Sequence, residues 1–363
     1  MDHRIVTALA VKLRRVVGLS KPRVETLSLL ILGLFSARTV NLTHLACERA
    51  GVALVASTYR RFQRFFQHVR LPQDWAAEAV AGMTDGAATW TLCLDRTCWQ
   101  VGHRHVNFLV LALVTPRCRV PLMWSLLDWK GNSGAPERMD LMERFIAKFG
   151  KHRIGLLLAD REFIGYDWFN YLVVNDIPFV IRMLEGHHVL TAAGARRKLV
   201  HLFARRDTHA FGPGKILARL PANRPGMPDL PLCFEAKQIE GGERLVVATN
   251  RPGLDALKAY RKRWAIECLF ADTKSRGFNF EDTHLRDLRK LDLLMSIIAL
   301  AAAWASRVAT RLIGAKDLPR KPHGYYAKSW FRTGFDHIRN LLRNRKTKLV
   351  NSWPIRPKPE RVV

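Results

Sequence analysis

Acidic residues are scarce in this 363-residue chain: 31 Asp and Glu stand against 59 Lys and Arg, a formal net charge of +28. Like charge on that scale opposes compaction unless a polyanion neutralises it in use. Nucleic acid is therefore the first expected partner and an anionic membrane surface the second. Long apolar runs are lacking as well. TLSLLILGLF and LLMSIIALAAAWA fall short of the roughly 20 residues that span a bilayer, so buried core helices are expected and membrane insertion is not. MDHRIVTALAVKLRR carries no apolar run followed by a cleavage site, and no secretory signal is expected. The six cysteines are scattered and make no disulfide framework, which suits a reducing cytoplasm. Cys93, Cys98, His103 and His105 lie close in sequence. Their C-x4-C-x4-H-x-H spacing departs from closed zinc patterns, and Cys93 reads as part of a strand. Three catalytic signatures are missing: G-x-S-x-G, a Walker loop, and G-x-G-x-x-G after a strand.

What is present describes a folded protein of two or three domains, with 48% hydrophobic and 25% charged residues. Residues 1–85 are expected to be helical, with apolar residues at helical spacing over 4–18, 24–37, 41–50 and 57–69. Within them, NLTHLACERAGVALVASTYRRFQRFF resembles a helix-turn-helix unit. Its first helix would end near Gly51, and Ser57 or Thr58 would cap the second. That second helix carries Arg60, Arg61 and Arg64, suited to phosphates or base edges.

From residue 88 the texture changes to short β-rich runs: TWTLCLD, FLVLALVT, VPLMWSLLD, IGLLLAD and PFVIRML. Helical patterns, ERMDLMERFIAKFG and YDWFNYLVVND, separate the last three. Three strands, helix, strand, helix, strand imply a mixed sheet, meander first and parallel part after. That is the order of a ribonuclease-H-like α/β domain, expected over 86–184 and 246–315 with helices flanking the sheet. Residues 185–245, dense in Gly and Pro, are expected as a β-rich insertion. RLVVATN then returns to strand character, a helix begins near Leu254, and a long apolar helix over roughly 287–312 packs behind the sheet. Residues 316–363 form a basic C-terminal region, for DNA contact or dimerisation. It holds an amphipathic helix in SWFRTGFDHIRNLLRN and an extended end containing Pro357 and Pro359.

Asp95 and Asp160 occupy equivalent places, each closing an apolar strand and each followed by Arg, in LDRT and ADREF. On neighbouring strands they would converge, and such a pair repels unless a cation lies between them. Oxygen ligands favour Mg²⁺ or Mn²⁺ over zinc, and a third acid would complete a two-ion site. Thr97 stands where a haloacid-dehalogenase-type phosphatase would carry a second Asp. Glu162 shares a face with Asp160 and would orient a ligand or pair with Arg161. Asp128 reads as a turn initiator, and Asp272 as solvent-facing.

YRKRWAIECLFADTK supplies the third acid. Read as one helix, it puts Tyr260, Arg263, Glu267 and Lys274 within an arc of about 60°, flanked by Trp264, Ala271, Ile266 and Phe270. A lone buried carboxylate would cost several kcal/mol or protonate. Over the strand-end aspartates, Glu267 becomes a metal ligand instead. Arg263 and Lys274 then hold the phosphates of a substrate strand, and Tyr260 lines the same groove. A plain Glu267–Arg263 ion pair is the other reading.

These residues resemble a known group. YRKRWAIECLFADTK keeps the Y-x2-R-x3-E-x6-K signature of DDE transposases of the insertion sequence 4 family, and LDRT and ADREF match that family's two aspartate motifs. The likeness runs from about Asn41 to Arg343. It implies a ribonuclease-H-like core with Asp95, Asp160 and Glu267 holding two Mg²⁺ or Mn²⁺ ions. It also implies an N-terminal helical region that binds element ends, a β-rich insertion between Asp160 and Glu267, and cut-and-paste transposition. Double-stranded DNA and a second copy of the chain, in a synaptic homodimer, are the implied partners. Arg263 and Lys274 would touch DNA phosphates, with Tyr260 near the cleaved end. A nucleoid-associated protein of a prokaryotic cytoplasm follows. Relatives carry a Trp in the insertion that helps flip a base. This chain has none between Trp168 and Trp264, leaving Phe203, Phe211 or Phe234 to serve. A structure-specific metal-dependent nuclease and a catalytically silent DNA-binding descendant are the alternatives.

Overall fold

Among the described residues, five helices precede the first strand: α1 (His3–Leu13), α2 (Lys21–Ala37), α3 (Leu42–Cys47), α4 (Val55–His68) and α5 (Ala77–Ala81). The computed structural model describes residues 1–354 apart from 52, 85, 205–213, 240–242, 323 and 325. Phe211 and the proline-rich end with Pro357 and Pro359 lie outside the described residues. In the helix pair, α3 ends at Cys47 rather than near Gly51, and Leu54, not Ser57 or Thr58, is the N-cap of α4. Thr58 is instead buried in the first turn of α4, where its hydroxyl accepts from Arg49 at 3.2 Å.

The meander follows as β1 (Trp90–Val101), β2 (Arg104–Val114) and β3 (Arg119–Leu127), then α6 (Ala135–Phe149), β4 (Ile154–Ala159), α7 (Tyr166–Val174) and β5 (Phe179–Met183). β1 pairs antiparallel with β2, and β2 with β3, while β4 lies parallel to both β1 and β5. The expected mixed sheet, meander first and parallel part after, is the one observed. Nine consecutive residues of β2 are buried, the mark of a strand covered on both faces.

Among the described residues, the 185–245 span builds no sheet of its own. Its elements are β6 (His188–Leu190), β7 (Arg196–Lys198), α8 (Leu199–Ala204), β8 (Lys215–Leu220) and β9 (Leu230–Gln238), and β10 (Arg244–Thr249) follows at its end. β10 pairs antiparallel with β5, and one ten-stranded sheet results in the order β3-β2-β1-β4-β5-β10-β9-β8-β6-β7. The open edge of β5 supplies unpaired backbone groups, and β10 satisfies them.

The 260–274 stretch is not one helix. α9 (Ala256–Tyr260) ends in a 3₁₀ turn, Arg261–Arg263, before α10 (Trp264–Thr273) begins. The N-terminus of α9 is held by Glu235 of β9, which accepts from the Ala256 and Leu257 amides at 3.0 and 3.1 Å and pairs with Lys215 at 2.8 Å. A carboxylate there complements the helix dipole.

α11 (Leu288–Ile313) and α12 (Trp330–Arg343) complete the fold. α11 is long and apolar enough to cross a membrane, contrary to the short-run expectation, but 89% of its apolar window is buried inside the protein. α2 and α12 cover it. Phe35 of α2 meets Trp304 of α11 at 5.7 Å and Phe335 of α12 at 5.3 Å between ring centroids. Trp330, Phe331, Phe335, Ile338 and Leu342 are buried, so the C-terminal amphipathic helix spends its apolar face on the core.

Gly334 lets α12 approach α11. A Cβ there would stand 1.8 Å from the Ala305 carbonyl oxygen, whereas one on Gly18 would meet nothing within 4 Å. Gly334→Ala is expected to cost roughly 3 kcal/mol in urea unfolding and Gly18→Ala less than about 0.5 kcal/mol. Equal midpoints for the two variants would show that the helices have room to separate.

Candidate active site

Parallel pairing decides where the aspartates go. Leu94 of β1 stands opposite Ala159, the last residue of β4, so Asp95 and Asp160 come side by side where the β1–β4 pairing stops. Only Asp160 follows a strand end: contrary to expectation Asp95 does not close β1, which continues to Val101 because β2 keeps pairing with it beyond the end of β4. Each carboxylate leans on a backbone amide: Asp95 Oδ1 accepts from Arg96 and Asp160 Oδ1 from Glu162, both at 2.8 Å. Burial pushes the Asp95 carboxyl up to about 6. The Arg96 amide and the Arg263 charge oppose that rise, and the Asp160 and Glu162 charges add to it.

Glu267 reaches the pair through Arg263. Arg263 Nη1 donates to Asp95 Oδ2 at 3.2 Å, and Nη2 donates to Glu267 Oε1 in an i, i+4 bridge. The guanidinium is only 15% exposed. Burial disfavours its charge, but Tyr260, Asp95, Glu267 and Asp160 together raise its pKa. The ion pair weighed as the plain reading of the stripe is therefore present, and it extends to Asp95. Tyr260 is buried, burial pushes its hydroxyl up to about 12, and its ring lies 5.7 Å from the Arg263 guanidinium carbon. It forms the wall behind Arg263.

Lys274 is off the stripe, because the helix has ended: its backbone has left helical geometry, with φ −92° and ψ −128°. Its ammonium pairs with Glu281 at 2.7 Å and lies 5.7 Å from the centroid of Trp99, four residues beyond Asp95 on the same face of β1. Trp264, expected among the apolar flank, is 65% exposed.

Glu162, Asp272 and Arg61 take partners other than those expected, and the remaining residues singled out in the sequence are placed alongside them. Glu162 pairs with Arg96, not Arg161. Asp272 is buried rather than solvent-facing, because α10 packs against β3 and brings it to Arg119 at 2.8 Å. Asp128 pairs with Arg104 at 2.8 Å. Cys93 is buried, its thiol pushed up to about 12 by burial, while Cys98 is exposed. Five residues apart on one strand, the two side chains take opposite faces and cannot share a zinc ion. On α4, Arg60 and Arg64 are exposed. Arg61 turns inward, donating to Thr26 Oγ1 at 2.7 Å and to the Pro22 carbonyl at 2.8 Å. Phe234 is fully buried in β9 and Phe203 is half-buried.

Among the described residues, no group of three or more His, Cys, Asp or Glu side chains is close enough to hold one ion. The donor chemistry nevertheless fits a hard divalent cation. Two carboxylates adjoin, a third joins them through a guanidinium, and that guanidinium supplies positive charge where the acids need it. Sequence reading missed Arg96, Asn107 and Arg138 around the aspartates. The repeated Asp-Arg after each strand was the available signal for Arg96. Asn107 and Arg138 left none.

Residues 87–304 match the family model described as a transposase DDE domain. No curated protein matches the chain.

The raised Asp95 pKa makes a stability prediction. The folded state binds this proton more tightly than the unfolded state, so the contribution is favourable at low pH and is lost as pH rises from about 4 through about 6. Asp95→Asn is expected to stabilise the protein by roughly 2–3 kcal/mol at pH 8, a gain that fades towards pH 4. A pH-independent difference in urea titrations would place the Asp95 pKa at its ordinary value.

Proposed function

The chain belongs to the transposase DDE domain family, and from that premise we propose that it is a cut-and-paste DNA transposase of the insertion sequence 4 type. Its catalytic carboxylates are Asp95, Asp160 and Glu267 on a ribonuclease-H-like core. One observation carries the reading: the parallel β1–β4 register brings two aspartates together where β4 ends, and a guanidinium ties a helical glutamate to one of them.

Asp95, Asp160 and Glu267 would hold two Mg²⁺ or Mn²⁺ ions, which when bound supply Lewis acidity towards water and the phosphoryl oxygens. The rest falls to the chain's own side chains. Water attacks the phosphodiester at the element end and frees a 3′-OH, which then attacks a target phosphodiester in line. Both steps are phosphoryl transfers, so one set of acids serves both. Arg263 exchanges its carboxylate partners for a phosphate of the bound strand, with Tyr260 packed behind it. Lys274 holds a second phosphate, exchanging Glu281 for it. Exposed Arg60 and Arg64 on α4 meet the duplex of the element end, where the helical N-terminal region over 1–85 docks. The net charge of +28 supports a long polyanion track. A homodimer joins two element ends, and the reducing cytoplasm, beside the nucleoid, is the compartment.

Glu267→Ala is expected to abolish Mg²⁺-dependent nicking of the DNA flanking the reading frame while leaving end binding intact. Joining of a supplied 3′-OH end to target DNA distinguishes a transposase from a nuclease. Nicking at wild-type rate by the variant would remove Glu267 from the chemistry. Lys274→Ala is expected to lower the salt dependence of DNA binding by about one unit of slope. An unchanged slope would leave Lys274 a partner of Glu281 alone.

A further inference from the structure

Arg96 and Glu162 each sit beside one of the two aspartates, and their side chains meet. Arg96 follows Asp95 on β1, and Glu162 lies in the turn that leaves β4 two residues after Asp160. Arg96 Nε donates to Glu162 Oε1, and Nη2 to Oε2 at 2.7 Å. The backbone amides of the same two residues hold the aspartates, each at 2.8 Å. A closed path therefore runs from one carboxylate through an amide, a two-pronged ion pair and a second amide to the other carboxylate.

The pair is braced on every side. Its side chains are 13% and 18% exposed. The remaining Arg96 donors reach Asn107 Oδ1 at 3.2 Å, the Gly131 carbonyl at 2.5 Å and Asn132 Oδ1 at 2.9 Å. Asn107, itself 1% exposed, donates to the Trp129 and Gly131 carbonyls at 3.2 and 3.0 Å. Buried Arg138 donates to the Glu162 carbonyl at 3.2 Å and lies 4.8 Å from the Phe163 ring centroid. A bidentate guanidinium–carboxylate contact fixes orientation as well as distance, which a lysine cannot do. Adjacent carboxylates repel, and without a brace the chain leaving β4 would relax away from β1.

We propose that the Arg96–Glu162 pair is a positioning device for the acid pair. It sets the spacing and aim of Asp95 and Asp160 against their repulsion, so that both face one divalent cation, and it touches neither DNA nor metal itself. This rests on Asp95 and Asp160 being the metal-holding carboxylates.

The test measures Mn²⁺ affinity of the full-length chain by calorimetry, together with DNA-end affinity, melting temperature and cleavage kinetics. The variants are Arg96→Lys, Glu162→Gln, their combination, and Asp160→Ala as a reference. Arg96→Lys and Glu162→Gln are expected to weaken Mn²⁺ binding about tenfold and to lower kcat with KM for DNA unchanged. The combined variant is expected to be no worse than the worse single one, the signature of one shared interaction. Wild-type Mn²⁺ affinity in both singles, or losses that only track a falling melting temperature, overturns the proposal. A weaker DNA affinity with a shallower salt dependence in Arg96→Lys would make Arg96 a DNA contact instead, which also overturns it. Mn²⁺ affinity unchanged by Asp160→Ala would sink the active-site reading and the proposal with it. Affinity lost in Asp160→Ala but kept in the pair variants sinks the pair alone.

Discussion

Two aspartates brought together by adjacent parallel strands repel each other, and much of the surrounding structure answers that repulsion. The β1–β4 register puts Asp95 beside Asp160, and burial makes the charge on Asp95 still more costly. Amides from Arg96 and Glu162 take one oxygen of each. Arg263 brings a positive charge to Asp95 and carries Glu267 with it. Removing any one of these leaves buried negative charge without compensation, which the interior tolerates poorly.

The wider architecture holds that arrangement in place. Glu235 on β9 caps α9, so the 185–245 strands help to fix the helix that leads to Arg263 and Glu267. The break at Arg261–Arg263 turns the chain between α9 and α10. Behind the sheet, α11 is enclosed by α2 and α12 in an aromatic cluster around Phe35. The N-terminal helices and the C-terminal helix therefore share a core with the sheet, while Arg60 and Arg64 stay on the outside.

The apolar run ending in Asp-Arg marked the end of β4 but not of β1, which runs on to Val101 because β2 keeps pairing with it. Three strands followed by alternating helices implied a mixed sheet, because strand period and helix period differ along the chain. The link between Glu267 and Arg263 was legible in their spacing, an i, i+4 relation that survives the change from 3₁₀ to α geometry. Lys274 was misplaced because periodicity assumes a continuous helix, and the turn at 261–263 together with the helix end at Thr273 broke it. Asp272 and Arg61 were misjudged for one reason: their partners, Arg119 and the Thr26 turn, are distant in sequence.

The sequence by itself determined the Asp-Arg pairs that follow the apolar runs, the net positive charge, and the amphipathic pattern of α12. Each is a local property, set by side-chain chemistry and backbone period. The tertiary structure alone decided that β10 would extend the sheet at β5, that Arg96 would find Glu162, and that Arg263 would bridge Asp95 and Glu267. These contacts join residues far apart in the chain or across a break in helix geometry. Their partners are chosen by strand register and packing, which no local pattern encodes.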